Sequence, residues 1–306
     1  MKTTTIIYVF LLLILASIHN LSGQNTADFS VFNHSLNIIN PAFTGKNNKT
    51  QIATNYKKVW AGIENSIHSN IVCFSMPTQK GIGLGVSIIN DRFYLYNQTN
   101  IAADISSKVK LDANHELLFG LKASVNFFGI NLKNLNTFQS NDPLFMQNQQ
   151  LISPNFSVGF ALRNERYFVH AALLDVLKER KNTTSANTLN AMRVNFGAGI
   201  YHQLNPVLSL TNTALFRATK GAPLSIDITS MLSINNNYDI GLTYRYNAAL
   251  MTNFLIKTTD WLQLGYSYGI PTNEIATYNN GTHEFFIRIY FNTKINNRFK
   301  WRLGCF

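Results

Sequence analysis

Apolar and polar residues alternate along most of this chain. From Gly81 to Asn90, Ile82, Leu84, Val86 and Ile88 occupy one register, and Gly81, Gly83, Gly85 and Ser87 occupy the other. Successive side chains of an extended strand point to opposite faces, so this period of two predicts a strand with one apolar and one polar face. The pattern recurs. Ile101, Ala103, Ile105 and Val109 oppose Asn100, Ala102, Asp104 and Ser106, and Leu117, Phe119, Leu121, Val125 and Phe127 oppose Gly120, Lys122, Ser124 and Asn126. Further copies run through 155–162, 193–200, 224–229 and 239–246. Turn-forming residues separate them at Pro77 to Gly81, Leu111 to Asn114, Asn205–Pro206, Asn235 to Asn237 and Asn279 to Gly281. Pieces between Gln51 and Phe291 add up to about fourteen strands of roughly ten residues, with 51–60, 206–218 and 249–257 the most weakly patterned. Segments 131–153 and 174–190 are too long and polar for tight turns and read as surface loops.

Where the charges fall indicates what each face meets. Lys122, Arg193, Asp227, Asp239, Arg245 and Arg288 all lie on the polar register. Lys or Arg facing lipid at the bilayer midplane costs about 2–4 kcal/mol, whereas a barrel lumen tolerates charge. Composition points the same way, with 46% hydrophobic but only 13% charged residues. A soluble domain carries about a quarter charged residues. Mean hydropathy is nevertheless −0.02, and no stretch after the N-terminus reaches the roughly 20 apolar residues of a spanning helix. A soluble β-sandwich would also alternate. The low charge, the many strands in one unit and the aromatic residues near strand ends favour a membrane barrel, with Tyr56, Trp60, Tyr94, Tyr96, Tyr201, Trp261, Tyr266 and Tyr268 as candidate interfacial girdles. The expected fold is all-β, a transmembrane antiparallel β-barrel of about fourteen strands integral to a bacterial outer membrane.

The first residues read as a secretory signal peptide. Lys2 precedes an apolar run from Ile6 to Ile18, and the small residues Ser22 and Gly23 set cleavage before Gln24. The chain then divides into a signal peptide (1–23), an N-terminal periplasmic segment (24–50), the barrel (51–291) and a C-terminal tail (292–306). Net charge is +11. The basic residues are scattered, apart from Lys178, Arg180 and Lys181 and a tail with Lys294, Arg298, Lys300 and Arg302. No zinc-finger spacing or RNA-binding aromatic motif accompanies them, which argues against nucleic acid and for outer-membrane lipid as partner. Cys73 and Cys305 form no C-x-x-C and leave room for one long-range bridge at most.

Catalytic constellations are near misses. His115-Glu116 and His283-Glu284 each begin a zinc-protease H-E-x-x-H, but Phe119 and Ile287 stand where the second histidine belongs. Gly85-Val86-Ser87-Ile88-Ile89 lacks the last glycine of a nucleophile elbow and runs through a predicted strand. Glycines 81, 83 and 85 precede no helix and so thin one strand face instead of forming a dinucleotide loop. Asp104, Asp227 and Asp239 are expected to pair with Arg193 or Arg245 across a lumen. His170 and His202 read as interfacial or loop residues. No catalytic, metal or cofactor site is expected, and the chain is not expected to be an enzyme.

Four short motifs resemble one family. Asn40-Pro41-Ala42-Phe43-Thr44-Gly45 resembles the N-P-A-[YF]-x-G opening of the PorP/SprF family of type IX secretion proteins. Tyr56-Lys57-Lys58-Val59-Trp60-Ala61-Gly62 is similar to its Y-R-x-Q-W-x-G strand, with Lys57-Lys58 departing from it. Gly81-Ile82-Gly83-Leu84-Gly85 leading to Asn90-Asp91 resembles its G-x-G strand. Gly265-Tyr266-Ser267-Tyr268 with Gly281-Thr282-His283-Glu284 resembles its ending, beyond which 292–306 is extra. The resemblance implies an outer-membrane barrel that supports secretion, or surface attachment of a cargo such as an adhesin, alongside other secretion-system proteins; gliding motility belongs to the same context. The alternative is a porin or hydrophobic-solute channel. Asn40, Pro41, Gly45, Trp60, Gly62, His283 and Glu284 are the candidate partner-binding residues, expected together at the periplasmic rim.

Overall fold

The computed structural model describes residues 29–30, 36–47, 49–78, 80–132, 148–177, 191–220 and 222–291. The predicted signal peptide, the tail and Cys305 lie outside these residues. Fourteen strands follow one another. They are β1 (Thr50–Lys58), β2 (His68–Pro77), β3 (Ile82–Phe93), β4 (Tyr96–Lys110), β5 (Glu116–Ile130), β6 (Gln149–Arg163) and β7 (Tyr167–Leu174), then β8 (Arg193–Gln203), β9 (Leu208–Thr219), β10 (Ser225–Ile234), β11 (Tyr238–Arg245), β12 (Ala249–Lys257), β13 (Leu262–Pro271) and β14 (Thr282–Phe291). Each pairs with its sequence neighbours, and β1 pairs antiparallel with β14, Thr50 opposite Phe291, closing the barrel. Closure leaves no strand edge, so every backbone polar group in the wall can be satisfied without water. The weakly patterned pieces at 51–60, 206–218 and 249–257 all lie within or overlap strands. The expected loop at 131–153 is shorter than the pattern suggested, because Gln149 to Ser153 belong to β6 and pair with β5.

The alternation maps onto the two faces as read. Val86, Ile105, Leu121, Phe196, Ile240 and Phe254 face outward and are exposed. Lys122, Asp227, Asp239 and Arg288 are buried inside. The exposed apolar face is the surface that meets hydrocarbon. Tyr201 departs from the expected girdle. It occupies the inward register of β8 and packs against the lumen core, because it lies an even number of residues from Asn195 and Gly197.

Connections at the end holding Thr50 and Phe291 are short, at 78–81, 111–115, 164–166, 204–207, 235–237 and 258–261. At the opposite end the chain crosses between strands through 59–67, 131–148, 175–192 and 272–281 as well as tight hairpins. Short turns face the periplasm and long loops the exterior in outer-membrane barrels, so β1 runs outward from the periplasm. One periplasmic turn shows how these bends are held. The Asp112 carboxylate accepts the backbone N–H groups of Asn114 (2.7 Å) and His115 (2.8 Å). Those bonds and the His115 ring hold its carboxyl below the usual range.

Candidate functional site

Of the segment expected in the periplasm, residues 29–30 and 36–46 lie inside the barrel. Leu36–Ile39 form one turn of helix, α1, and Pro41–Phe43 a 3-10 turn. Asn40 between them is extended, with φ −158° and ψ 114°, the conformation that a following proline imposes. Its side-chain oxygen accepts the Ala42 N–H at 2.9 Å, and Pro41 takes a position that needs no N–H. Thr44 closes the turn by donating to the Pro41 carbonyl at 3.1 Å, and Gly45 then bends the chain at φ +63°. The N-P-A-F-T-G sequence thus encodes a compact local fold before it touches the wall.

The wall is shaped to receive it. Gly83, Gly120 and Gly159 face inward on β3, β5 and β6, and a β-carbon at each would collide with Thr44, with Pro41–Ala42 and with Asn40 respectively. Asn40 is fully buried and its amide donates to the carbonyls of Phe160 (3.0 Å) and Ala171 (3.1 Å), partners across β6 and β7. Around the ring, Lys122 donates to the Asn37 carbonyl (3.0 Å), Asn195 to Ile39 (2.8 Å) and Ser106 to Thr44 (2.5 Å). The Gly45 N–H donates to Ser75 Oγ at 2.7 Å. Between these bonds Leu36, Ile39, Ala42 and Phe43 pack on Leu118, Ala161, Phe168 and Leu215, with Phe43 edge-on to Phe168. Burying each of the large side chains contributes about 1.5–3 kcal/mol.

A second anchor joins the N-terminal segment to the other side of the lumen. The Ser30 N–H and hydroxyl donate to Glu284 Oε2, at 2.9 and 2.5 Å, and Asn55 Nδ2 donates to Oε1 at 2.6 Å. Phe29 packs on Ile71 and Cys73, and Lys57 lies over its ring at 5.7 Å. Cys73 is a buried free thiol. The signal for this docking was present in the sequence: Ile71, Leu118, Phe168 and Leu215 are large apolar residues on the polar register, which is sensible only if something covers them.

Several buried charges are paired within the wall. Arg163 meets Glu116 at 2.8 Å, and Asp227 accepts Arg217 at 2.9 Å and Arg245 at 2.8 Å. Asp104 lies 3.5 Å from Lys122, and Arg193 pairs with Asp175 at 2.7 Å instead of with a strand carboxylate. His170 is buried in the lumen beside Phe43, not interfacial.

The candidate residues do not share one rim. Asn40, Pro41 and Gly45 are in the lumen with Glu284, whereas Trp60, Gly62 and His283 are at the exterior end, because β1 has crossed the membrane between Thr50 and Lys58. The motifs meet in two pairs. Thr44 and Gly45 press on Gly83 and Gly85, and Ala61 exchanges backbone hydrogen bonds of 2.8 Å with Asn280 and Gly281. The H-E pairs are split by the strand itself, with His283 outward and Glu284 inward. Glu116 is committed to Arg163, while His115 serves the Asp112 turn. Among the described residues no group of His, Cys, Asp and Glu is arranged to hold a metal.

A closed antiparallel wall with an apolar exterior, a polar interior and the long loops on one side defines an integral outer-membrane β-barrel. The chain belongs to the PorP/SprF family, type IX secretion system membrane proteins, whose sequence profile matches residues 21–289. Solved barrels share the architecture. The Ralstonia pickettii toluene transporter TbuX superposes with a TM-score of 0.53 at 9% identity, covering 85% of this chain and 94% of its own. The monoaromatic hydrocarbon channel CymD gives 0.51 at 9% identity, covering 85% and 93%. At such identity the likeness is one of fold. A sequence search of curated proteins finds no match.

Proposed function

We propose that this protein is a non-catalytic barrel of the type IX system that supports secretion, or surface attachment, of a cargo protein such as an adhesin, together with other secretion-system components. The observation carrying this reading is the occupied lumen. Residues 29–30 and 36–46 touch β1 through β9, β13 and β14, and one of the glycines that admit them, Gly83, is part of a family motif. A barrel whose interior is devoted to its own chain is poorly suited to diffusion of solutes and well suited to presenting a fixed surface. The channel reading competes with it on fold likeness alone. Trp60, Gly62 and His283, at the exterior end, are the candidate contacts with cargo, and the lipid of the outer membrane surrounds the wall.

Deletion of the gene tests this. Surface display of a type IX cargo should be lost while uptake of small solutes is unchanged, and the purified barrel should be non-conducting in liposomes. Intact display with impaired uptake would establish the channel instead. Trp60→Ala should lower display without lowering barrel abundance; a parallel fall of both would make Trp60 a packing residue.

A further inference from the structure

On the outward face at the exterior end, four basic side chains form a row across four neighbouring strands. His283 of β14 is opposite Lys58 of β1, Lys58 is opposite His68 of β2, and His68 is opposite Arg92 of β3. Directly opposed residues share a face, and their strand neighbours Lys57, Ser69 and Glu284 are buried inside, so the whole row faces outward. With strands about 4.8 Å apart, the row is roughly 14 Å long.

Among the described residues no carboxylate is within ion-pair distance of Lys58 or Arg92. The nearest acids on these strands, Glu284 and Asp91, occupy the inward register. Two tyrosines orient the imidazoles. Tyr56 Oη lies 3.1 Å from His68 Nδ1, and Tyr266 Oη lies 2.7 Å from His283 Nδ1. With the phenol donating, Nε2 carries the hydrogen and is a donor. The row therefore offers an ammonium, a guanidinium and two imidazole N–H groups, all donors.

On the membrane side the outward face turns apolar within two rows. The next row toward the midplane is Phe285, Tyr56, Asn70 and Asn90, polar beneath His68 and Arg92, and the one after it is Ile287, Thr54, Val72 and Ile88, aligned strand by strand with the basic row. Phe285, Val72, Ile88 and Ile287 are all exposed. A donor row above an apolar strip matches an amphiphile with an anionic head and hydrocarbon tails, and clustered basic residues at a membrane boundary attract anionic headgroups.

We infer that this row, Lys58, His68, Arg92 and His283, is a binding site for a phosphate-bearing lipid of the outer leaflet. Its tails would lie along Phe285, Val72 and Ile88. The site is independent of the cargo reading and needs only the barrel's orientation. The phosphate is held by the donors, and the apolar strip distinguishes a lipid from free phosphate.

Binding of monophosphoryl lipid A to the purified full-length barrel in detergent, followed by native mass spectrometry, tests the site. Lys58→Gln with Arg92→Gln should weaken binding about tenfold or more, at about 1 kcal/mol per cation near the surface. Lys110→Gln with Arg166→Gln, the same charge loss at the periplasmic end, should leave it unchanged. Heat-modifiable migration on gels shows that both variants are folded barrels. Equal weakening by both pairs would reduce the effect to net charge, and no weakening by the first would overturn the site. Equal affinity for the dephosphorylated lipid would remove the phosphate from the proposal, and competition by inorganic phosphate at equal concentration would remove the lipid.

Discussion

Gly83 has no room for a β-carbon, because the Thr44 carbonyl oxygen stands in its place. Two motifs separated by some forty residues of chain are therefore one structural feature, a backbone-to-backbone contact between the N-terminal segment and the inner face of β3. Gly83→Val must displace either the segment or the strand. The expected result is a folded barrel with a lowered unfolding temperature and measurable conductance in planar bilayers. A silent bilayer and an unchanged melting curve would mean that the segment does not occupy this place.

Asn40 supplies the hydrogen bonds at the centre of the segment. Asn40→Ala leaves the buried carbonyls of Phe160 and Ala171 without these donors, at about 1–3 kcal/mol each, and removes the cap on Ala42. Phe43→Ala is expected to destabilise by about 3–5 kcal/mol through the cavity it leaves. Urea unfolding of liposome-reconstituted barrels reads both.

The Arg163–Glu116 pair is enclosed, so its halves are not independent. Glu116→Gln or Arg163→Met alone should cost about 3–5 kcal/mol, while the double change to apolar residues of similar volume should recover most of that loss. A double-mutant cycle by equilibrium unfolding measures it; additive losses would show the pair to be uncoupled.

Glu284 anchors Ser30. Glu284→Leu removes the acceptor of both Ser30 bonds and should expose this stretch while residues 36–46 stay docked on β3 to β9. A cysteine placed at Ser30 reports it. Maleimide labelling is expected to be slow in the parent and at least several-fold faster with Glu284→Leu.

The outward register makes a separate test. Ile228 is 55% exposed on the wall, and Ile228→Arg should impair assembly by about 2–4 kcal/mol near the midplane. Ile228→Leu should not. Folded yield on heat-modifiability gels distinguishes them, and equal yields would place Ile228 away from lipid.

The strands, their number and the identity of each face were legible before any coordinates, because they depend on local facts. Period two assigns faces, and the placement of Lys122, Asp227 and Arg288 says which face avoids lipid. Even the most weakly patterned pieces became strands, since closing the barrel requires their hydrogen bonds whatever their side chains prefer.

What tertiary structure alone decided is where the N-terminal segment goes. Asn40 to Gly45 fold into a compact turn by local bonds, but a turn motif carries no address. The address is distributed over Gly83, Gly120 and Gly159 on three strands and over Ile71, Leu118, Phe168 and Leu215, residues far apart in the chain that face a common space only after the sheet has curled and closed. In the same way Trp60 and His283 lie at the exterior end because strand direction alternates with every crossing, a property of the count and closure of the whole wall. Alternation along a strand is local chemistry and can be read from the chain, whereas what fills a closed lumen is a question of volume shared by all of its walls.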